Sequence, residues 1–417
     1  MARNLSPEQI PPGWTYQLLD KVTERCSGHT PSKSIPEYWN GGIKWISLAD
    51  TFRLDNGYVY ETDKEISHEG IKNSSAQLHP AETVVLSRDA GIGKSGVMAE
   101  PMAVSQHFIA WKCDNQEKMN SWFLYNWLQL YKAEFERQAV GSTIKTIGLP
   151  FFKKLKVVVP PYEEQRKIAK ILSTWDKAIS TTEHLIDNSK QQKKALMQQL
   201  LTGKKRLLDD SGEPYTDEWE EIEVGNLTKI FDGTHSTPKY VEEGIPFYSV
   251  EHLTRDDFSV TKFISEEVFE KENKRVKLER NDILMTRIGD IGTAKCLTWD
   301  VRASFYVSLA LFKSNEKFNS SYLAYYINSI EFQRELWKRT IHVAFPKKIN
   351  LGEINHCLVK LPSLKEQEKI AKLLANLDKE LEFLDKQLAN FKQEKKALMQ
   401  QLLTGKRRVK INDKEVA

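Results

Sequence analysis

The 417-residue chain predicts an α+β protein. Two similar mixed α/β domains are separated by two long helices, which form an antiparallel intramolecular coiled coil within a pseudo-twofold internal repeat. Three observations lead there. The dodecamer KKALMQQLLTGK stands at 193–204 and again, letter for letter, at 395–406. A shift of 202 residues lays EEQRKIAKIL (163–172) on KEQEKIAKLL (365–374), and the match runs without gaps into the dodecamer. Each dodecamer also closes an apolar pattern stepping alternately by four and three, the seam of a coiled coil. A repeat of this length, in a chain too long for one ordinary domain, makes the protein two halves of one plan.

The first half opens with a globular region, 1–159. TVVLS (83–87), like DILMT (282–286) in the second half, reads as a short β-rich run between glycine-containing turns, and GIKWIS (42–47) is one of the segments that recur. WFLYNWLQLYKAEFERQ (122–138) reads as one aromatic helix whose rings belong to a core. A long-helix segment, 160–206, comes next, with Pro160–Pro161 preceding its helix and Gly203 stopping it. Its seam is Ile168, Leu172, Trp175, Ile179, Thr182, Ile186, Ser189, Lys193, Leu196 and Leu200.

The second half repeats these features. In the globular region 207–361, GIPFYS (244–249) faces GIKWIS and TRIGDIGT (286–293) faces SRDAGIGK (87–94). YLAYYINSIEFQRELWKR (322–339) supplies the aromatic helix, and PKKINLGEINHCLVKLPS (346–363) faces IKTIGLPFFKKLKVVVPP (144–161). The long-helix segment 362–408 has Pro362 before its helix and Gly405 as its stop, and carries the cleaner seam: Ile370, Leu374, Leu377, Leu381, Leu384, Leu388, Phe391, Lys395, Leu398 and Leu402. At ~1.5 Å rise per residue each helix is a rod of about 60 Å. Two matched rods in one chain pair most simply with each other, although each could instead seek a partner protein. A short tail, 409–417, ends the sequence.

Composition excludes several function classes. No run of about 18 apolar residues offers a membrane span. The first residues lack the apolar core of a secretory signal, and four isolated cysteines form no framework, so a reducing cytoplasm is expected. The formal net charge is +4. The segments 163–206 and 365–408 together carry about +9, which leaves about −5 for the remainder.

Motifs that resemble catalytic ones fail on their chemistry. AGIGKSG (90–96) lacks the glycine that a phosphate loop requires, because Arg88 stands there, and IGDIGTA in the other half lacks the lysine. VPPYE (159–163) resembles the tetrapeptide with which amino-methyltransferases hold a base, but Val159 replaces the polar residue that would accept from the exocyclic amine. No histidine pair has metal-ligand spacing. No catalytic residue and no metal ligand is nominated.

The order G-x-T-P-S, GGIKWIS, SRDAGIG, GSTIKTIGL, VPPYEEQRKIAKIL, KKALMQQLLTGK, given twice, resembles the specificity subunit of type I restriction–modification enzymes over nearly the whole chain. The resemblance implies a non-catalytic, DNA-reading subunit. Its globular regions would be target-recognition domains 1 (1–159) and 2 (207–361), each reading half of a bipartite site in double-stranded DNA. The conserved helices would set the spacer and dock two methylation subunits, which bind S-adenosylmethionine and methylate adenine N6. Two restriction subunits, with ATP and Mg, would supply motor and nuclease. This chain itself would bind no cofactor. A coiled-coil scaffold and a self-contained DNA methyltransferase are the alternatives.

Under that resemblance, polar and basic residues in turns shared by the halves are candidate DNA contacts. They are Thr30, Ser32, Lys33, Arg88, Lys94, Thr143 and Lys145 in the first domain. In the second they are His235, Ser236, Thr237, Lys239, Arg287, Lys295, Lys347 and Lys348. Arginine suits guanine edges, and hydroxyls suit phosphates or either base type. Base-specific residues are expected where the halves differ, as in 51–80 and 251–280.

Overall fold

The computed structural model describes residues 9–114, 117–141 and 145–411. The chain divides into two units, 1–183 with 386–417 and 184–385. The long helices, Tyr162–Leu200 and Leu364–Leu402, begin one residue after Pro161 and two after Pro362. Each gives its N-terminal part to one unit and its C-terminal part to the other.

In the first unit five strands run in the order Glu24–Ser27, Phe108–Lys112, Val84–Ser87, Ser95–Met98, Tyr58–Val59. All neighbours are antiparallel except the last pair. Val84, Leu86, Ile109 and Trp111 enter a core shared with the helices, while Val85, Phe108 and Ala110 enter a second core with Ile46, Met102 and Val104. A strand covered on both faces needs apolar residues at successive positions. TVVLS therefore reads as a continuous apolar run. A three-stranded sheet (Lys64–Ile66, Trp39–Ile46, Ala103–Val104) and the pair Thr15–Leu18 with Lys156–Val159 complete the unit's strands.

The second unit follows the same plan with four antiparallel strands, Ile230–Asp232, Leu309–Phe312, Ile283–Ile288 and Asp290–Cys296. Ile283, Met285, Ala310 and Phe312 face the helices, while Leu284, Leu309 and Leu311 face a separate core. The pair Glu220–Glu223 with Leu358–Leu361 matches the two-stranded pair of the first unit.

The aromatic helices correct one expectation. Each is two helices, not one. In the first unit Ser121–Leu130 and Lys132–Gln138 are separated at Tyr131, whose φ of −100° and ψ of 13° leave the helical region. The redirected chain buries Phe135 completely. In the second unit Ser320–Ile327 ends before Ser329, whose hydroxyl accepts from the Phe332 N–H at 3.3 Å and starts Ile330–Arg339. A serine side chain that bonds the backbone as an N-cap competes with helix continuation.

The repeated letters of the long helices form clamps that close each unit. Glu164 and Glu366 are buried at the two helix starts, 1% and 0% exposed. Arg408 donates to Glu164 through Nε (2.6 Å) and Nη2 (2.7 Å), and Trp14 Nε1 adds a third bond at 3.0 Å. Arg206 grips Glu366 in the same way, at 2.8 and 2.7 Å. These arginines arrive because Gly405 and Gly203, at φ +71° and +72°, end each dodecamer helix with a turn that ordinary residues adopt poorly. The neighbouring glutamines bind the aromatic helices: Gln165 accepts from the Asn120 N–H at 2.8 Å, and Gln367 from the Asn319 N–H at 2.9 Å. Asn120 and Asn319 in turn cap those helices, accepting from Phe123 and Tyr322.

The seam is packed antiparallel inside each unit. All ten seam positions of each helix are buried or half-buried. In the first unit Trp175 meets Phe391 edge-on with centroids 5.7 Å apart, and Lys395 pairs with Asp176. In the second unit Lys193 pairs with Asp378, whose other oxygen accepts from Tyr325 Oη at 2.6 Å. The lysine that interrupts each seam thus finds an aspartate on the facing helix. A single polar seam position satisfied in only one alignment specifies register.

Candidate nucleic-acid interface

Around this frame, the loops nominated from sequence are held from beneath by buried polar groups. The first support is a glycine turn present in both units. A Cβ on Gly28 would lie 1.9 Å from the Val104 carbonyl oxygen, and one on Gly233 would lie 2.1 Å from that of Phe305. That approach lets the next residue, His29 or Thr234, donate its N–H to the same carbonyl, at 3.0 and 2.9 Å. The turn therefore presents the polar residues after it at the sheet's edge.

In the first unit Thr30 is half-buried and donates to Gln106 Oε1 at 2.5 Å. Ser32 and Lys33 are exposed, and the Ser32 and Ser34 hydroxyls lie 2.8 Å apart. Arg88 follows the strand Val84–Ser87, and its Nε donates to the Ile147 carbonyl at 3.1 Å. Beside it Asp89 accepts from Thr146 and sits 2.5 Å from His107 Nδ1. Gly91 and Gly93, both at positive φ, complete the loop. Lys94 and Lys145 come together with Lys132 around an open hollow of about 530 Å³ that also includes Asp89 and Gly91. Lys94 Nζ donates to the Thr51 carbonyl at 3.2 Å, whereas Lys145 is exposed. Thr143 lies outside the described residues.

In the second unit the organising group is Asp232, which sequence reading missed. It accepts from Arg275 Nη1 at 2.9 Å and from Arg287 Nη2 at 3.4 Å, and pairs with His235 Nε2 at 2.8 Å. Burial pushes its carboxyl up, but the bonds from Arg275 and His235 prevail and hold it below the usual carboxylate range. Ser236 and Lys239 are exposed, and Thr237 Oγ1 lies 3.3 Å from Tyr306 Oη. Lys295 pairs with Asp256 at 2.6 Å. Lys347 and Lys348 are exposed, with Lys347 Nζ 5.1 Å from the centre of the Trp337 ring.

The placement of Arg287 changes what it does. Only 9% of its side chain is exposed. Its Nε and Nη1 donate to the Val307 and Ile349 carbonyls at 2.8 and 3.2 Å. Burial lowers its pKa, with Asp232 opposing. A guanidinium with its donors turned inward in this way holds loops together. Arg88 plays a lesser version of the same part, since both arginines bind the carbonyl at the base of the following loop, Ile147 or Ile349.

Among the described residues no cluster of histidine, cysteine or carboxylate side chains is arranged to hold a metal. No helix there is long and apolar enough to cross a membrane. The four cysteines are unpaired thiols. Burial pushes that of Cys357 up to about 12, far from a reactive thiolate.

The sequence matches the family described as type I restriction modification DNA specificity domain twice, over residues 11–189 and 216–392. The chain belongs to that family. It is 28% identical to the type I restriction enzyme MjaVIII specificity subunit of Methanocaldococcus jannaschii, over 96% of this chain and 95% of that protein. The MjaIX specificity subunit of the same organism is 27% identical over 59% of this chain, a match spanning 60% of the relative's own length. In fold it is similar to the crystal structure of a type I restriction–modification S subunit from M. genitalium, with a TM-score of 0.59 at 17% identity, covering 96% of this chain and 97% of that one. As a DNA specificity chain it is a sequence-recognition component and not a catalytic one, catalysis in such systems being supplied by partner subunits.

Proposed function

We propose that this specificity chain reads a bipartite site in double-stranded DNA, one half through residues 1–159 and the other through 207–361. The helices 160–206 and 362–408 set the distance between the half-sites and dock two methylation subunits, with 409–417 a tail beyond them. The observation that carries this reading is the contrast between frame and loops. The Glu–Arg clamps, Gln–Asn contacts and seam Lys–Asp pairs are the same in both units. The loops mounted on them differ in sequence, as two readers of different half-sites would. Thr30, Ser32, Lys33, Lys94, Thr143 and Lys145, with His235, Ser236, Thr237, Lys239, Lys295, Lys347 and Lys348, are the proposed contacts. Arg88 and Arg287 act beneath them as positioning residues.

The methylation subunits bring S-adenosylmethionine, and two restriction subunits bring ATP and Mg. This chain binds no cofactor of its own, and the assembly works in the cytoplasm. Co-expression with the methylation subunit, followed by mapping of methylated adenines on random DNA, tests the reading. The expected product is a split motif with a constant gap. One contiguous motif, or methylation without sequence preference, would overturn it.

A further inference from the structure

Among the described residues, nothing covers an apolar tip of the second unit. In the loop after Ile330–Arg339, Val343 is 97% exposed and Phe345 is fully exposed, with Trp337 62% exposed at its base. Single exposed apolar residues are ordinary on a protein surface, but a contiguous group of large ones marks a contact. The loop is pinned at both ends. The Ile341 N–H donates to the Lys348 carbonyl at 2.8 Å, the Gly289 N–H to that of Lys347 at 2.8 Å, and the Ile349 N–H to that of Arg287 at 3.0 Å. The His342 ring packs tilted at 54° against Trp337 with centroids 4.1 Å apart and bonds its carbonyl at 2.9 Å, while Lys347 lies over the same indole. The tip is thus held in place before any partner arrives, which lowers the entropy cost of burying it.

Its surroundings indicate what that partner is. Between Thr340 and Asn350 there are two lysines and a histidine and no acidic residue. The adjacent Glu335 is already engaged by Lys338 and Arg339, at 2.7 and 3.0 Å. Apolar side chains projecting from a cationic collar fit a polyanion with an apolar interior. The corresponding stretch of the first half, VGSTIKT (140–146), holds no aromatic residue. The tip therefore belongs to what differs between the readers and not to their common frame.

Resting on the reading above, we propose that Phe345, with Val343, is a specificity-determining wedge that enters the duplex at the half-site read by the second unit and stacks on its bases. Lys347 and Lys348 neutralise the flanking phosphates. The buried Arg287 anchors the wedge, which explains why a sequence-nominated contact is turned inward.

The test uses the chain assembled with its methylation subunits on DNA carrying both half-sites, or with either one scrambled. Phe345→Ala weakens binding to the intact site roughly tenfold or more, the scale of losing one aromatic–base stack. It also shrinks the cost of scrambling the second half-site and leaves that of the first unchanged, while Phe345→Trp restores both. Because the wedge is uncharged, Phe345→Ala leaves the salt dependence of binding unaltered, whereas Lys348→Ala lowers its slope by about one. Unchanged affinity and discrimination in Phe345→Ala, beside a sequence-specific wild type, would overturn the wedge alone. A Phe345→Ala chain that fails to assemble with methylation subunits before DNA is added would also overturn it, marking the tip as a protein contact. A wild-type complex without sequence preference would overturn the parent reading instead.

Discussion

The clamp between Arg206 and Glu366 makes an unequal prediction for its two members. Glu366 is 0% exposed at the start of its helix, and both carboxylate oxygens accept from the guanidinium, at 2.8 and 2.7 Å. Arg206 keeps 21% of its side chain exposed. Removing one member of a buried pair strands the other, and the cost follows how well the stranded charge regains water. Arg206→Ala leaves a carboxylate with no solvent contact and should cost about 3–4 kcal/mol. Glu366→Ala leaves a guanidinium that already touches water and also lies 5.7 Å from the Trp219 ring. It should cost only about 2–3 kcal/mol. The double substitution should cost clearly less than the sum, because neither orphan remains. Urea unfolding of the full chain followed by tryptophan fluorescence measures the order, with Trp219 beside the clamp as a local reporter. A Glu366→Ala variant less stable than Arg206→Ala, or an additive double variant, would refute the desolvation argument.

Three further outcomes are expected. Inserting four residues near Ser189 lengthens the seam by about one turn and should change the gap in the methylated motif while preserving both half-sites; an unchanged gap at full efficiency would remove the spacer role. His79 is wholly buried with no hydrogen-bond partner on either ring nitrogen, and burial pulls its pKa down from 6.5 to about 4. The unfolded chain then takes up the proton first as pH falls, so stability should drop by about 3 kcal/mol between pH 6.5 and 4. His79→Gln should flatten that part of the profile, and an equally steep one would contradict it. Finally, outside the long helices the chain has a charge near −5, too little positive surface for broad phosphate neutralisation. The isolated chain should bind DNA weakly at physiological salt by fluorescence anisotropy, and tight site-specific binding without methylation subunits would count against that.

The two long helices, their starts after proline and their ends at glycine were legible because each depends on a local rule: a 4–3 apolar period, a ring that tolerates only the first turn, and a positive φ. Buried strands such as TVVLS and DILMT were legible as short apolar runs. The breaks at Tyr131 and Ser329 were not, since an aromatic helical period continues across both and only the bend shows where it stops. At the candidate interface, side-chain type was visible but direction was not. Arg287 and Lys347 look alike as basic residues in turns, yet one donates inward to Val307 and Ile349 while the other lies exposed over Trp337. The run HVAFPKK, apolar without a helix or strand period beside two lysines, was the available signal for the exposed tip.

By itself the sequence determined the repeat, the helical frame, the family and the separation of shared frame from diverging loops, because repetition and periodicity are written along the chain. Only the tertiary structure decided that Arg408 closes on Glu164, 244 residues away, that each seam lysine meets an aspartate on the facing helix, and that Phe345 stands in solvent while Arg287 does not. Those outcomes depend on which groups folding brings within bonding distance and which it removes from water, and neither distance nor desolvation exists until the chain has closed on itself.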